Sequence, residues 1–257
     1  MDVEKLFSIR GKVALVTGGS RGIGEMIARG YVAAGAKVYI SSRKADACEN
    51  LAAELSELGE CISMPADLST PEGCFSLAAQ LAEREQELHI LVNNAGAAWE
   101  APLEEHSVDG FDKVMNLNVR AVFLLTQALV PQLRCAGSAH DPARVIDIGS
   151  IDGLHISALP VFSYSASKAA VHHLSRHLAQ VLASDHVTVN AIAPGYFPSR
   201  MTRNIFENDP ERLQRIPLGR PGTPEDIAGI SIFLASRAGA YVTGTVVPID
   251  GGYSTLL

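Results

Sequence analysis

Tyr164 and Lys168 stand four residues apart in the run Tyr-Ser-Ala-Ser-Lys, within a stretch whose pattern predicts a helix over Ser163–Ser184. On a helix that spacing puts both side chains on one face. A lysine cation beside a phenol is expected to draw the phenol's pKa down, and so would an oxidised nicotinamide. A phenol tuned toward neutrality gives a proton to a forming alkoxide, or takes one in reverse. Ser150 closes a predicted strand 14 residues before Tyr164. Its hydroxyl is expected to hold a substrate carbonyl oxygen. A bare Tyr-x-x-x-Lys pattern arises often by chance; Ser150 upstream and a glycine-rich turn in the same chain give it weight.

That turn reads Thr17-Gly18-Gly19-Ser20-Arg21-Gly22-Ile23-Gly24 and lies between a predicted strand and a predicted helix. Gly18, Gly22 and Gly24 let the backbone approach a pyrophosphate closely, and the helix N-terminus offers free N–H groups to anions. Ser20, Arg21 and Ile23 belong to the same cradle. An NAD site wants an acid at the end of the second strand for the ribose 2′-OH. Here the residues are Ser41-Ser42-Arg43-Lys44. Ser42 and the Arg43 and Lys44 cations, joined by Arg21, suit a 2′-phosphate, which favours NADP(H). Asp67-Leu68 follows the third strand, where an Asp accepts from an adenine amino group. Asn94, Ala95 and Gly96 end the fourth strand with small residues and turn-fixing amides.

The elements that must position these residues alternate strand and helix. Strands are predicted at Lys12–Val16, Lys37–Ser41, Ile62–Pro65, His89–Asn93, Arg144–Gly149, Val187–Ile192 and Thr245–Ile249. Helices are predicted at Gly24–Ala34, Ala45–Leu58, Pro71–Arg84, Phe111–Leu133, Ser163–Ser184 and Pro224–Leu234, the last with Thr223 as N-cap and Pro224 at the first helical position. This order predicts an α/β fold: one Rossmann-type, doubly wound parallel sheet of about seven strands over residues 1–257, with helices on both faces. An irregular segment at 197–220 follows a strand and is expected to be a substrate lid.

Composition excludes several classes. The 257 residues are 47% hydrophobic with a formal net charge of −7, so the basic footprint of a nucleic-acid binder is missing. Cys48, Cys61, Cys74 and Cys135 have no metal-ligand spacing and are expected as reduced thiols. His173 and His177 have helical i, i+4 spacing but no obvious carboxylate partner, so no metal is expected; His172 and His186 are expected as ordinary imidazoles. Met1–Arg10 carries charges and reads as no signal peptide, and no uninterrupted apolar run is long enough for a membrane span, so a cytoplasmic location is expected. Trp99 and Glu100 are expected either at the pocket edge or in packing, as are His155 and Phe162. Leu154, Ile156, Leu159 and Val161 suit a hydrophobic substrate or packing alike.

Taken together, the motifs resemble the short-chain dehydrogenase/reductase family from Gly11 to Gly252. The pieces are T-G-G-S-R-G-I-G, Asp67-Leu68, N-N-A-G, Asn118 in L-N-V, Gly149-Ser150, Y-S-A-S-K, A-P-G at 193–195 and I-D-G-G at 249–252. The resemblance implies Tyr164 as acid/base and Ser150 as carbonyl orienter. It also implies that Lys168 binds the nicotinamide ribose and that Asn118 completes a proton relay through Lys168 and a water. Pro194-Gly195 would pass the nicotinamide amide. It further implies a homotetramer built on the helices bearing Asn118 and Tyr164 together with the C-terminal segment. Within the family the chain is most similar to 3-oxoacyl (β-ketoacyl) thioester reductases, including the rhamnolipid-biosynthesis type, through 192–203 and the extra residue between Ser150 and Tyr164. Reductases that dock acyl carrier protein tend to carry an Arg shortly before the T-V-N strand; this chain has Asp185-His186, which argues against docking an acidic carrier there. The expected activity is NADPH-dependent reduction of a small ketone or an acyl thioester on acyl carrier protein or coenzyme A. The alternatives are NADP-dependent oxidation of a secondary alcohol of a sugar, sterol or polyol, or a silent NADP(H)-binding sensor, which the complete set Asn118, Ser150, Tyr164 and Lys168 argues against.

Overall fold

Runs such as Val-Ala-Leu-Val-Thr have no polar alternation, and a strand of that kind is stable only with both faces covered. In the computed structural model, which describes residues 1–199, 202 and 210–256, this run is strand β1 (Val13–Thr17), buried at every position. It is joined by β2 (Lys37–Ser41), β3 (Cys61–Ser63), β4 (Ile90–Asn93), β5 (Ala143–Ile148), β6 (Val187–Pro194) and β7 (Val246–Ile249). All pair in parallel, in the order β3-β2-β1-β4-β5-β6-β7. This is the expected Rossmann-type sheet.

Helices cover both faces. On one, α2 (Gly22–Ala33), α3 (Ala45–Leu55) and the later helix Pro224–Ala235 bury Ile27, Tyr31, Leu51, Leu55, Ile227 and Leu234. On the other, α4 (Pro71–Ala82), the helix Ala121–Ala136 and the helix Phe162–Leu182 bury Leu77, Leu81, Leu125, Leu129 and Leu182. Each apolar stripe is the core-facing side of an amphipathic helix.

Three departures from expectation have local causes. The helix expected over Phe111–Leu133 is interrupted. It starts earlier, as α5 (Val108–Met115), because the Ser107 side chain accepts from Gly110 N. It then widens into a π turn at Asn116–Arg120 before α6 (Ala121–Ala136). The helix expected to reach Leu58 ends at Leu55, where the Ser56 hydroxyl lies 2.7 Å from Ala52 O and 2.9 Å from Cys61 O. A short N-terminal helix, α1 (Val3–Phe7), had no apolar period to reveal it; Asp2 caps it and Phe7 leans on Phe233. The remaining helices are α7 (Phe162–Leu182), α8 (Pro210–Gln214) and α9 (Pro224–Ala235). The run Val108–Ala136 is long and apolar enough to cross a membrane by composition, with mean hydropathy 1.3, and α6 uses that apolarity to pack on α4.

The chain runs outward through β2 and β3, then returns to lay β4 on the other side of β1. That reversal opens a crevice at the carboxyl ends of β1 and β4, where open α/β sheets bind ligands. At the opposite pole, Arg144 (1% exposed) donates to the carbonyls of Leu234, Ser236 and Pro142 and to Asp141. Lys12 adds a bond to Ala235 O, so two cations cap the C-terminus of α9.

Candidate active site

The crevice is closed at its base by Asn94. Its amide donates to Thr17 O at 2.8 Å and Gly18 O at 3.2 Å, while the Thr17 hydroxyl accepts from the backbone N–H groups of Asn94 and Ala95. Gly18 and Gly22 sit at φ +63° and +57°, a region that L side chains avoid. A Cβ on Gly24 would fall on Gly18 O and the Asn94 amide. The glycines thus let the turn fold flat against the β4 end and leave the start of α2 open. Ser20 and Ile23 lie partly exposed along it and Arg21 is exposed. At the β2 end, Ser42 bonds Lys44 O and Arg43 is exposed. Burial works against ionisation of Asp67, but the Ser69 donors and the Arg43 charge outweigh it and hold the acid below its usual range. Arg43 and Asp67 therefore share one rim. Leu68 is buried in the core behind that rim. An anion-binding turn with cations at the β2 end fits a phosphorylated dinucleotide.

The second half of the site gathers at the ends of β5 and β6. Ser150, buried, caps the turn after β5 by accepting from Asp152 N at 3.1 Å, and it shares a hydrogen bond with the Tyr164 hydroxyl. Lys168, one turn along α7, donates from Nζ to Ile148 O at 2.7 Å, and Nζ lies 5.5 Å from the Tyr164 ring centre. Asn118, in the π turn, accepts from Ala97 N at 2.8 Å and donates to Ala97 O and to the Ser167 hydroxyl. Ser167 in turn donates to Tyr164 O at 2.7 Å. The π turn thus aims Asn118 at the β4 loop and ties that loop to the Tyr164 turn. Pro194 is buried at the β6 end, and Gly195 N donates to Ile249 O. Gly96 lies against Asn118 Oδ1 and Lys168 Nζ, where a Cβ would stand 3.3 and 3.8 Å away.

One expectation is corrected. The Tyr164 phenol is not drawn down. Burial pushes it up to about 12, the Ser150 bond pulls the other way, and the charge of Asp152 adds to the rise. Burial lowers Lys168 to about 8, against the pull of Asp147 and Asp152. Desolvation is the largest influence on both groups, raising the phenol and lowering the ammonium.

Sequence reasoning missed the layer beneath. His172, discounted as an ordinary imidazole, is buried, with Nε2 3.4 Å from Ser150 N. Burial lowers it to about 4, helped by Lys168 and opposed by the Gly153 backbone, so it stays neutral and accepts at Nε2. A Cβ on Gly149 would strike that ring, so this glycine makes room for it. Asp147 on β5 is fully buried. The adjoining signal in the sequence was an acid in the middle of an apolar strand. His173 and His177 are exposed, and no metal-binding group of His, Cys, Asp and Glu occurs among the described residues.

At the mouth, Tyr253 meets Tyr196 at 5.1 Å and His155 at 5.8 Å between ring centres. Leu154 is 43% and Ile156 93% exposed beside them, while Val161 is buried. Trp99 packs on Gly110 of α5 under Lys113, and Phe162, partly exposed, sets its ring edge-to-face with His106. The expected lid at 197–220 lies in part, at 200–201 and 203–209, outside the described residues. Its ends are tied down: Gly222 N donates to Tyr196 O and Leu218 N to Gly251 O.

The family model described as enoyl-(acyl carrier protein) reductase matches residues 18–254. The rhamnolipids biosynthesis 3-oxoacyl-[acyl-carrier-protein] reductase of Pseudomonas aeruginosa is 53% identical over 251 residues, covering 96% of this chain and 98% of that protein. The 2-dehydro-3-deoxy-D-gluconate 5-dehydrogenase of Bacillus subtilis is 37% identical, covering 96% of each. Among solved structures, the Pseudomonas aeruginosa RhlG/NADP active-site complex superposes with a TM-score of 0.94 at 51% identity, covering 97% of this chain and 99% of that one. A short-chain type dehydrogenase/reductase from Mycobacterium marinum superposes with a TM-score of 0.91 at 33% identity, covering 98% and 99%.

Proposed function

We propose, for a chain that belongs to the short-chain dehydrogenase/reductase family, that it is an oxidoreductase reducing the keto group of a 3-oxoacyl thioester to the secondary alcohol with NADPH. The observation that carries this reading is the hydrogen-bonded pair Ser150–Tyr164 at the end of β5, with Lys168 in the same layer, facing the glycine-rich turn across the sheet edge. Bound NADPH supplies the hydride. Gly18, Ser20, Arg21, Gly22, Ile23 and Gly24 hold its pyrophosphate, Ser42 and Arg43 its 2′-phosphate, and Asp67 and Leu68 its adenine side. Asn94, Ala95, Gly96, Pro194 and Gly195 line the nicotinamide end with Lys168.

Ser150 holds the substrate carbonyl oxygen, and Tyr164 delivers the proton to it. A phenol pushed up to about 12 is protonated throughout the neutral range, which is the state a reductase needs at the start of turnover. Lys168 orients Tyr164 and the ribose, and Asn118 fixes the loop over which protons return.

The exposed apolar edge of Leu154 and Ile156, with the Tyr196–Tyr253 pair, favours an acyl chain over the polyhydroxy substrates of sugar dehydrogenases. The thioester carrier is acyl carrier protein or coenzyme A. Asp185 pairs with Arg134 at 2.8 Å, so the cation at that corner is already neutralised, which supports the smaller carrier. The reading includes a cytoplasmic homotetramer without a membrane span. Exposed Val108, Phe111, Phe123, Phe162 and Val181 on α5, α6 and α7 supply apolar surface for self-association.

The test is NADPH oxidation, followed by nicotinamide absorbance, with acetoacetyl-CoA beside NADH and a panel of ketones and sugar alcohols. Turnover with NADPH and the thioester is expected. Tyr164→Phe is expected to lose about a hundredfold or more in kcat while NADPH binding is kept. Unchanged turnover in that variant would refute the mechanism, and turnover confined to sugar alcohols would replace the substrate class.

A further inference from the structure

We propose that Asp147 is the buried counter-charge that keeps Lys168 protonated while the enzyme works, which makes it a positioning residue for the reaction; the inference rests on the reading of Lys168 and Tyr164 above.

Asp147 lies on β5, paired across the sheet with Asn93 and Ala191. Its side chain is fully buried. Oδ1 accepts from the Asn93 amide at 2.8 Å and Oδ2 from the Ser175 hydroxyl at 2.6 Å. The Asn93 amide also reaches the Thr126 hydroxyl at 3.1 Å, so the carboxylate is aimed by neutral donors on β4 and α7, the first of them held by α6. Neutral donors orient a carboxylate but do not balance its charge. A buried charge without a counter-ion is costly, and a chain that keeps one generally has a partner for it.

The partner is on α7. Ser175 stands seven residues, two helical turns, beyond Lys168, so both reach down from the same face. The Lys168 ammonium is fixed on Ile148 O, the carbonyl of the residue next to Asp147. Two buried ionisable groups of opposite sign therefore share one layer between β5 and α7. Burial pushes Asp147 up to about 6 and Lys168 down to about 8, and each feels the other's charge in the direction that keeps both ionised.

The other groups facing Lys168 do not replace Asp147. Asp152, in the turn after β5, adds a second negative charge but is partly exposed and better screened. His172 on α7 is held neutral, and Arg176 beyond it is exposed. Tyr164 on α7, together with Asn118 and Ser167, contributes no charge in the neutral range. Removing the Asp147 charge leaves Lys168 with burial acting on it and one screened acid in support. Lys168 then loses its proton near neutrality, and the hold on Tyr164 and the ribose goes with it.

Asp147→Asn removes the charge with little change in shape. The Asn93 amide keeps its acceptor, and the Ser175 hydroxyl, 2.8 Å from Val171 O, can turn its proton to that carbonyl and accept from the new amide. The experiment is a pH titration of the Lys168 ε-carbon by NMR in the full chain with isotopically labelled lysine, the signal being assigned by its loss in Lys168→Met. The expected result is a midpoint lower in Asp147→Asn than in the wild type by about one pH unit or more. The alkaline limb of kcat/KM for NADPH-dependent reduction should move down with it. Equal midpoints in the two proteins overturn the proposal. Full turnover in Lys168→Met instead overturns the reading on which it rests, whichever way the midpoints fall. Should Asp147→Asn not fold, Ser175→Ala keeps the carboxylate and removes one donor. Asp147 then takes up its proton at higher pH, nearer the Lys168 midpoint, so that midpoint should fall by less than in Asp147→Asn, and an unmoved midpoint overturns the proposal.

Discussion

Replacing Gly24 by alanine puts one methyl group where the structure has none to spare. The new Cβ would fall on Gly18 O and the Asn94 side-chain nitrogen. Neither yields cheaply. Gly18 is held at φ +63° with Ala95 Cα at 2.9 Å from where its own Cβ would be, and the Asn94 amide makes the bonds to Thr17 O and Gly18 O that close the crevice. Losing two such bonds costs about 2 kcal/mol. Overpacking adds about 2 kcal/mol, and the gain from alanine over glycine inside a helix returns about 1 kcal/mol. The net loss is about 3 kcal/mol, a fall in Tm of about 9 °C for a chain of this size. The pyrophosphate cradle moves with Gly18, so the Kd for NADPH is expected to rise at least about tenfold. Gly22→Ala is the control. That residue sits at φ +57°, but its Cβ would meet Ser199 Cβ at an ordinary 3.5 Å. Conformational strain of about 1 kcal/mol is then the main cost, or about 3 °C. Thermal unfolding followed by circular dichroism gives Tm, and NADPH fluorescence titration below both transitions gives Kd. A Gly24→Ala protein that melts within a degree of the wild type and binds NADPH unchanged would refute the reasoning. So would Gly22→Ala matching its fall in Tm, the loss for which Gly22 is the control.

Arg43→Ala is expected to weaken NADPH about tenfold, with NADH little affected, and the difference should shrink as salt rises; parallel titrations with both cofactors at two ionic strengths decide it. His172→Leu leaves Ser150 N–H without its acceptor, so kcat should fall while the KM for NADPH holds, and His172→Asn should recover part of the loss; steady-state kinetics on the three proteins checks this. Because burial lowers His172 from 6.5 to about 4, the unfolded chain binds the extra proton in that window. The associated stability is complete above 6.5 and is lost as pH falls toward about 4. Asp147, pushed up to about 6, tilts the curve the opposite way below that value. Denaturant melts at about pH 7 and about pH 4.5 should therefore be read as the difference between wild type and His172→Leu, which narrows at the lower pH.

The parts legible in the sequence are those where one residue type has no substitute. A glycine at a left-handed position, as at Gly18 and Gly22, and a Tyr–Lys pair at helical spacing announce themselves, and the structure brings both to one sheet edge. The parallel sheet of about seven strands also followed from alternation of strand and helix. What stayed hidden depends on contacts between distant segments. The π turn at Asn116–Arg120 has no sequence period of its own; it exists because Asn118 is drawn to Ala97, 21 residues away. His172 looked like one of several helix histidines until the β5 turn was laid over it. The direction of the Tyr164 shift was misread because spacing reveals the neighbouring lysine but not the desolvation that the surrounding chain imposes on both groups. Asp147 was visible as an acid in an apolar strand, yet its companions come from β4 and α7.

The position of β1 has a consequence for the chain as it is being made. Ala14 pairs with Val38 on one side and with Ile90 on the other. When β1, β2 and β3 have left the ribosome, the second edge of β1 is still open, an apolar row of backbone donors and acceptors of the kind that recruits stray strands. At about 5–20 residues per second, the stretch from Val38 to Ile90 keeps that edge open for roughly 3–10 s. Closure arrives with Ile90–Asn93, and Asn94 follows at once with the amide that seals the glycine turn. The nascent protein therefore covers the second edge of β1 and seals its glycine-rich turn in the same step, and the open edge passes to β4 until β5 arrives. Any delay in delivering α4 lengthens the one interval and postpones the other.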